Sequence, residues 1–312
     1  MDTPVAFFIF NRPATTQRVF DAIAAARPRT LLVVADGPRS DRQSDASDCS
    51  ATRAITERIE WPCDVRRLYA ENNLGCRSRV SSGLDWVFSQ AAEAIVLEDD
   101  CLPSPDFFPF CELLLDRYRD DERVMHISGT SFQRDNNRTP HSYYFSKYTH
   151  IWGWASWRRA WAAYDVSLRS WPSLRGSTLI KDWFDSAIEQ EFWTRVFDDL
   201  HAGGNTWDGQ WTYACWANRG LGIVPARNLV SNIGFGTAAT HTTGESIDAD
   251  MPTGTLGAFS HPEQMIRHRD ADVFTFEEHY GGRRLRDSRR WDRRLRMAFG
   301  AYRRRLWQRL VG

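Results

Sequence analysis

Residues 94–106 read AIVLEDDCLPSPD, and the fold turns on what this stretch is. Four apolar residues, Ala94 to Leu97, stop at three consecutive carboxylates, Glu98, Asp99 and Asp100, and a proline-rich turn follows. A short apolar run of this kind suits a strand buried on both faces of a parallel sheet. Open α/β sheets bind ligands just beyond the carboxyl ends of their strands, so the acids stand where a ligand site is expected. Crowded there, they repel one another and lose hydration, and a hard divalent cation with oxygen ligands answers that need. A cation so held would in turn hold a diphosphate. The plainer reading is a solvated strand-to-loop turn, since acids commonly punctuate strand ends.

Working outward, apolar runs alternate with amphipathic ones. Val5–Phe10, Leu31–Ala35 and Val65–Tyr69 read as strands, and Ala14–Ala26, Asp48–Ile59 and Ser78–Ser89 as helices. This alternation predicts an α/β protein with a mostly parallel central sheet flanked by helices. A helix over Phe107–Tyr118 and a strand over Val124–Ser128 follow. Each early strand ends in polar residues: Asn11 and Arg12, Asp36 and Gly37, Glu71 to Asn73, and Glu98 to Asp100. Parallel strands bring those ends to one edge, which predicts one shared site. The first turn, NRPATT, carries neither the G-x-G-x-x-G nor the G-x-x-x-x-G-K-[ST] phosphate loop, so phosphate must be met in another way.

The second half is irregular and rich in Trp from Trp152 to Trp216. Such rings offer flat apolar faces to sugars or bases, although large aromatics more often fill cores. With 312 residues and 42% hydrophobic content the chain is globular rather than disordered. Six widely spaced cysteines include no C-x-x-C pair, which excludes a zinc ribbon and fits a reducing compartment. Val5–Phe10 has no basic leader before it, and no stretch approaches the roughly 18 to 20 apolar residues of a membrane span. The expectation is a cytoplasmic protein.

Formal charge is zero but unevenly placed: residues 281–312 hold twelve Arg against Asp287 and Asp292, leaving the rest acidic. Leu285, Trp291, Leu295, Phe299, Leu306 and Leu310 recur among those arginines. The pattern suits an interfacial helix on the anionic inner face of the cell membrane, or an Arg-rich helix packing back on the acidic body. Nucleic acid is not expected, since it leaves the acidic edge unexplained. The division expected is a body over 1–260 and a basic helical tail over 261–312.

Taken in order, VAFFIFNRPATTQRVFDAI, LLVVADGPR, AIVLEDDCLPSPDFFPF, THIWGWASWRRAW, WDGQWTYACW and LVSNIGFGTAATHT resemble the GT-A glycosyltransferases. The resemblance is narrower still to the inverting N-acetylglucosaminyltransferases of the medial Golgi, in which an EDD triplet runs into a PDFF turn. It implies a GT-A fold, a nucleotide-sugar donor linked to UDP, and a divalent metal, Mn2+ or Mg2+. The acceptor it implies is a glycan or lipid-linked saccharide. Residue by residue, it places Arg12 and Asp36 at the nucleotide, with Asp99 beside the ribose or donor sugar; Asn11 and Glu98, at the same strand ends, are expected to contact the nucleotide sugar as well. Asp100 would ligate the metal. The pair Trp207 and Asp208 matches the family's Trp-Asp pair, with Trp207 at the donor and Asp208 as catalytic base. His241 lies in a segment, Gly234 to Thr243, matching a loop that folds over the donor; it either completes the metal shell, meets a phosphate, or is simply exposed. Two departures stand out: Gly209 replaces a second acid, and NNLGCRSR replaces a histidine region upstream of the triplet.

Independently of the resemblance, Arg77 and Arg79 open a helix after Gly75, where they and its positive end suit phosphate, or simply solvent. Asp208 is equally suited to an N-cap of the helix it opens. Gly234 to Gly257 is rich in Gly, Thr and Ser, as a loop closing over a donor would be. The rival readings are a sugar nucleotidyltransferase, which usually shows a Gly-rich basic turn absent from NRPATT, and an inactive sugar-binding protein on the same fold.

Overall fold

The computed structural model describes residues 1–134, 136, 138–235 and 248–291. Its strands are β1 (Val5–Ile9), β2 (Thr30–Ala35), β3 (Asp64–Tyr69), β4 (Glu93–Glu98), β5 (Cys101–Pro103), β6 (Val124–Ser128), β7 (Tyr143–Ser146), β8 (Trp154–Trp157), β9 (Leu221–Pro225) and β10 (Val230–Asn232). Its helices are α1 (Pro13–Ala26), α2 (Asp45–Ile55), α3 (Gly75–Gln90), α4 (Phe107–Arg117), α5 (Arg158–Trp161), α6 (Trp171–Leu174), α7 (Thr178–Lys181), α8 (Ala187–His201), α9 (Asp208–Ala217) and α10 (Arg269–Glu278).

Eight strands form one mixed sheet in the order β3-β2-β1-β4-β8-β6-β9-β7, with helices on both faces. The first four are parallel, and β8 and β7 enter antiparallel. Sequence reasoning finds the parallel half almost residue for residue, because each of its inner strands is a continuous buried apolar run. β3 lies at the sheet edge and carries Asp64, Arg66 and Arg67, which discourage pairing with another chain. Alternation along β1 splits the interior in two. Val5, Phe7 and Ile9 join Phe20, Phe107 and Phe110, while Ala6 and Phe8 join Leu84, Trp154 and Trp211 on the other face. Each buried Val, Leu, Ile or Phe among them contributes about 1.5–3 kcal/mol.

Local signals fix how the strands hand over to helices at the ligand edge. Pro13 occupies the first turn of α1, where its missing N–H costs nothing, and Arg27 closes that helix in the left-handed region at φ 51°. A second, two-stranded sheet pairs β5 with β10 antiparallel, bringing Asn232 opposite Cys101. That pairing carries the chain from β10 directly over the acidic triplet.

Beyond residue 260 the chain continues in contact with the sheet. α10 is part of the body: Ala271 and Phe276 are buried, and Asp272 accepts from Ser146 Oγ at 2.5 Å and pairs with Arg267 at 2.5 Å. Lys147, fully buried, pairs with Asp185 at 2.9 Å and Glu189 at 2.5 Å in the same network. The helix that follows over 282–291 packs back through Arg283 to Glu278, Arg286 to Glu277 and Arg289 to Glu191. Among the described residues no helix is long and apolar enough to cross a membrane.

Most of the Trp-rich half is core. Trp154, Trp157, Trp171, Trp207, Trp211 and Trp216 are essentially inaccessible, and several indoles donate to fixed acceptors, such as Trp216 to Lys147 O at 2.6 Å. His126 is held in this core by Trp211 Nε1–H at 3.1 Å, and burial lowers its pKa to about 3, so it stays neutral.

Candidate functional site

The carboxyl ends of β1, β2 and β4 meet the start of α9 across a cleft of about 540 Å³. Arg12, Asp36, Arg79, Glu98, Asp99, Asp100, Trp207 and Asp208 all line it; of these, Arg12, Asp36 and Glu98 to Asp100 are the strand ends expected to share one site. Asn11 is not among the lining residues. Its amide donates to Asp45 Oδ1 at 2.8 Å, tying the end of β1 to α2. His241 and residues 236–247 of the Gly/Thr-rich loop lie outside the described residues.

The counter-charge that the acidic triplet needs is already present in the chain. Arg12 follows β1 and its guanidinium spans both neighbours, pairing with Asp99 and, at 2.9 Å, with Asp100 Oδ2. Burial disfavours the Arg12 cation, but the two carboxylates outweigh it and hold its pKa above the usual range. Asp99, 2% exposed, also accepts from Phe10 N at 3.0 Å, so both its oxygens are engaged. Burial raises Asp99 to about 6 in spite of Arg12. Glu98 lies opposite Phe8 in the β1–β4 ladder, and burial, then Asp100 and Asp99, push it up to about 8. Asp100 retains Oδ1, whose recorded partner is the Cys101 thiol at 3.5 Å. Gly234 sits directly over this pair, and a Cβ there would collide with Asp100 Oδ2 and lie 2.8 Å from Arg12.

These positions test the fit of a cation. Among the described residues no group of three or more potential ligands could hold an ion unaided. One carboxylate whose Oδ1 is met only by a thiol at 3.5 Å fits a hard ion that takes most of its coordination from water and substrate phosphates, and does not fit a closed protein cage.

Asp36 is a pillar of the cleft wall. Its carboxylate, 6% exposed, accepts from Gly37 N at 2.8 Å, Leu74 N at 2.9 Å, Asn73 Nδ2 at 3.0 Å and Gly75 N at 3.2 Å. It thereby ties the end of β2 to the start of α3, where unpaired backbone N–H groups need acceptors. Arg79 is 7% exposed and donates to Leu68 O at 2.8 Å, while its Nε has no partner among the described residues. Arg39 also faces the cleft; its guanidinium lies 5.2 Å from the Phe10 ring centroid and pairs with Asp45 at 2.6 Å. That bond first, against burial, lowers Asp45 to about 2.

Asp208 is the first residue of α9, with Trp207 at the cap position and no side-chain cap. The N-cap reading is therefore not what the structure shows. Its Oδ1 accepts from Thr206 Oγ1, leaving the carboxylate at the mouth of the cleft beside a helix N-terminus. At Gly209 a Cβ would meet Leu200 Cδ1 at 2.5 Å, so a second acid there requires the Leu200 side chain to shift. Trp207 is 2% exposed and stacks on Trp154 at 5.8 Å, presenting little surface to any ligand.

Sequence reasoning missed Arg39 and Thr206, although Thr206 was legible as a hydroxyl two residues before Asp208. It places Asn73 at the strand edge and Gly234 in the loop over the donor, but the contact of Gly234 with Asp100 was not legible, since the two lie more than a hundred residues apart.

A pH effect follows from Glu98. The folded chain binds its proton more tightly than the unfolded chain, so no penalty exists below the usual pKa of 4.5, and one grows as pH rises through about 8. In EDTA-containing buffer the melting temperature is expected to fall between pH 6 and 8.5, and Glu98→Gln to flatten that slope. An identical slope in the variant would show that Glu98 is ionised throughout.

No protein-family model and no curated protein sequence matches the chain. Solved structures similar to it include the mannosyltransferase PcManGT from Pyrobaculum calidifontis in complex with GDP-Man and Mn2+, at 15% identity over 70% of this chain and 71% of that one, TM-score 0.39. Mouse xyloside xylosyltransferase 1 in its apo form is 9% identical over 69% and 81%, TM-score 0.33. The 4-diphosphocytidyl-2C-methyl-D-erythritol synthase of Anaerococcus prevotii is 10% identical over 63% and 84%, TM-score 0.34. Overlaps of this extent carry no argument about reaction, donor or metal.

Proposed function

We propose that the chain is a GT-A glycosyltransferase that moves a sugar from a nucleotide-diphosphate donor to a saccharide hydroxyl, with inversion at the anomeric carbon. The observation that supports it is the single cleft in which Arg12, Arg39, Arg79 and the Glu98–Asp100 acids stand across from Asp208. Cleavage of the bond between sugar and diphosphate leaves negative charge on the phosphates, and fixed positive groups there lower the barrier. Arg79, with an unsatisfied Nε, and the N-terminus of α3 are placed for that anion. Asp208 takes the proton of the attacking hydroxyl on the opposite face of the sugar. One base and direct attack give inversion. Asp100 would hold a divalent ion, Mn2+ or Mg2+, which when bound neutralises charge on the leaving diphosphate. On the sequence resemblance, the donor is UDP-linked and the sugar N-acetylglucosamine.

A thermal-shift panel of nucleotide sugars with and without Mn2+ tests this. A saturating donor at about 100 times its Kd stabilises by about 2.7 kcal/mol, enough for a shift of several degrees. If no nucleotide sugar moves the melting point, or if free nucleotides move it equally, the donor assignment fails.

The location proposed is the cytoplasm, with attachment to the inner membrane face through 281–312. Among the described residues Arg284 and Arg290 of this segment make no ion pair, and Trp291 is 64% exposed. Flotation with vesicles containing anionic phosphatidylglycerol, and none with neutral phosphatidylcholine, is expected; equal behaviour on both would discard the attachment.

A further inference from the structure

A second cavity, of about 290 Å³, adjoins the cleft at Asp208. The two share Ile151, Trp152, Thr206 and Asp208, so a ligand in each would meet at that carboxylate. Their chemistry differs sharply. The cleft carries three arginines, whereas no Arg or Lys is among the described residues lining the second cavity, where the Asp208 carboxylate disfavours a phosphate, sulfate or carboxylate and His279 is already paired with Asp248. Its walls are aromatic: Phe132 stacks on His279 at 3.6 Å, and Tyr280 lies 5.0 Å from Trp193 and 6.0 Å from Phe192. Aromatic walls of this kind suit the C–H faces of a pyranose. Apart from Asp208 and His279, which pairs with Asp248 at 2.9 Å, its polar groups are few and uncharged, as ligand cavities tend to be. Thr149 and Thr212 bond each other at 2.7 Å, and burial holds His150 well below the usual imidazole range, hence neutral.

One group lacks what folding normally supplies. Trp193 is 3% exposed, lines this cavity, and its Nε1–H has no hydrogen-bond partner among the described residues. A buried indole N–H left unsatisfied is costly, and a ligand hydroxyl would satisfy it.

We infer that this cavity, between α8, α9 and the end of α10, seats the acceptor as a single uncharged sugar residue, bonded by the Trp193 indole and with its reacting hydroxyl at Asp208. The volume lies at the lower end of the roughly 300–1,000 Å³ usual for ligand pockets, so it takes one ring and not an oligosaccharide. Any charged part of the acceptor, including a lipid diphosphate, lies outside it. The inference rests on the glycosyltransferase reading for the role of Asp208, but not for the binding of the sugar.

The test is saturation-transfer NMR and titration with para-nitrophenyl glycosides of neutral hexoses and N-acetylhexosamines, beside a glucuronide and a hexose 6-phosphate. Donor-induced thermal shifts are measured in parallel. Neutral glycosides are expected to bind and the two anionic sugars not. Trp193→Phe, which keeps the ring and removes the N–H, should weaken neutral binding roughly three- to tenfold. Val196→Phe, which fills the cavity from α8, should abolish it, with the donor shift intact in both. Failure of every neutral glycoside to bind the parent chain, equal binding of the anionic ones, or unchanged affinity in folded Val196→Phe would each overturn the inference. Glycoside binding without any donor shift would sink the glycosyltransferase reading and leave the cavity assignment standing.

Discussion

Asp208→Asn is expected to lower transfer by about 10²–10⁴-fold while leaving the donor-induced thermal shift in place. Asn keeps the shape of the side chain and an oxygen to accept from Thr206 Oγ1, so the start of α9 survives. What disappears is the group able to take a proton. Because Asp208 sits within the first turn and caps no backbone N–H, its contribution to stability is limited to the helix dipole, about 0.3–1 kcal/mol. A purely structural Asp208 would show the reverse pattern: a small loss of melting temperature and unchanged turnover. Product assay together with a melting curve on one variant separates the two outcomes.

Arg12→Ala should produce the largest loss of stability of any single change at the cleft. It removes the cation shared by Asp99 and Asp100 and leaves Asp99, with 3% side-chain exposure, as an uncompensated buried carboxylate. Breaking such a pair from one side costs about 3–5 kcal/mol. Added Mn2+ should recover part of that loss, and more in Arg12→Ala than in the parent chain, because the vacated space then offers both carboxylates to the ion. Chemical denaturation with and without Mn2+ reads both effects. A variant as stable as the parent would mean that Asp99 simply takes up a proton. The absence of any differential Mn2+ effect would remove support for Asp100 as a metal ligand.

These expectations show where sequence reasoning reached and where it stopped. The triplet Glu98–Asp100 was legible, and its need for positive charge followed from elementary electrostatics. That the charge comes from Arg12 was not, although Arg12 was placed at the same edge, because nothing along the chain states which strand ends come within 3 Å of each other. Asp36 shows the same limit. As a lone acid after a strand it reads as a ligand contact, and only the positions of Gly37, Asn73, Leu74 and Gly75 show its carboxylate accepting four hydrogen bonds. The Trp-rich half read as rings that mostly fill a core, and most of its indoles do close it; which of them reach a cavity was not legible.

The sequence by itself determined the parallel half of the sheet and the edge at which its polar residues gather. Runs of buried apolar residues and the two backbone periodicities are local, and local patterns can be read in one dimension. Only the tertiary structure decided that β8 and β7 enter antiparallel and that Asp208 faces the strand ends. It alone brought α10 into the body and set beside the cleft a cavity with no Arg or Lys among its described lining residues. Those features arise where segments far apart in the chain exclude water together, and such meetings depend on shape and packing that no stretch of residues records alone.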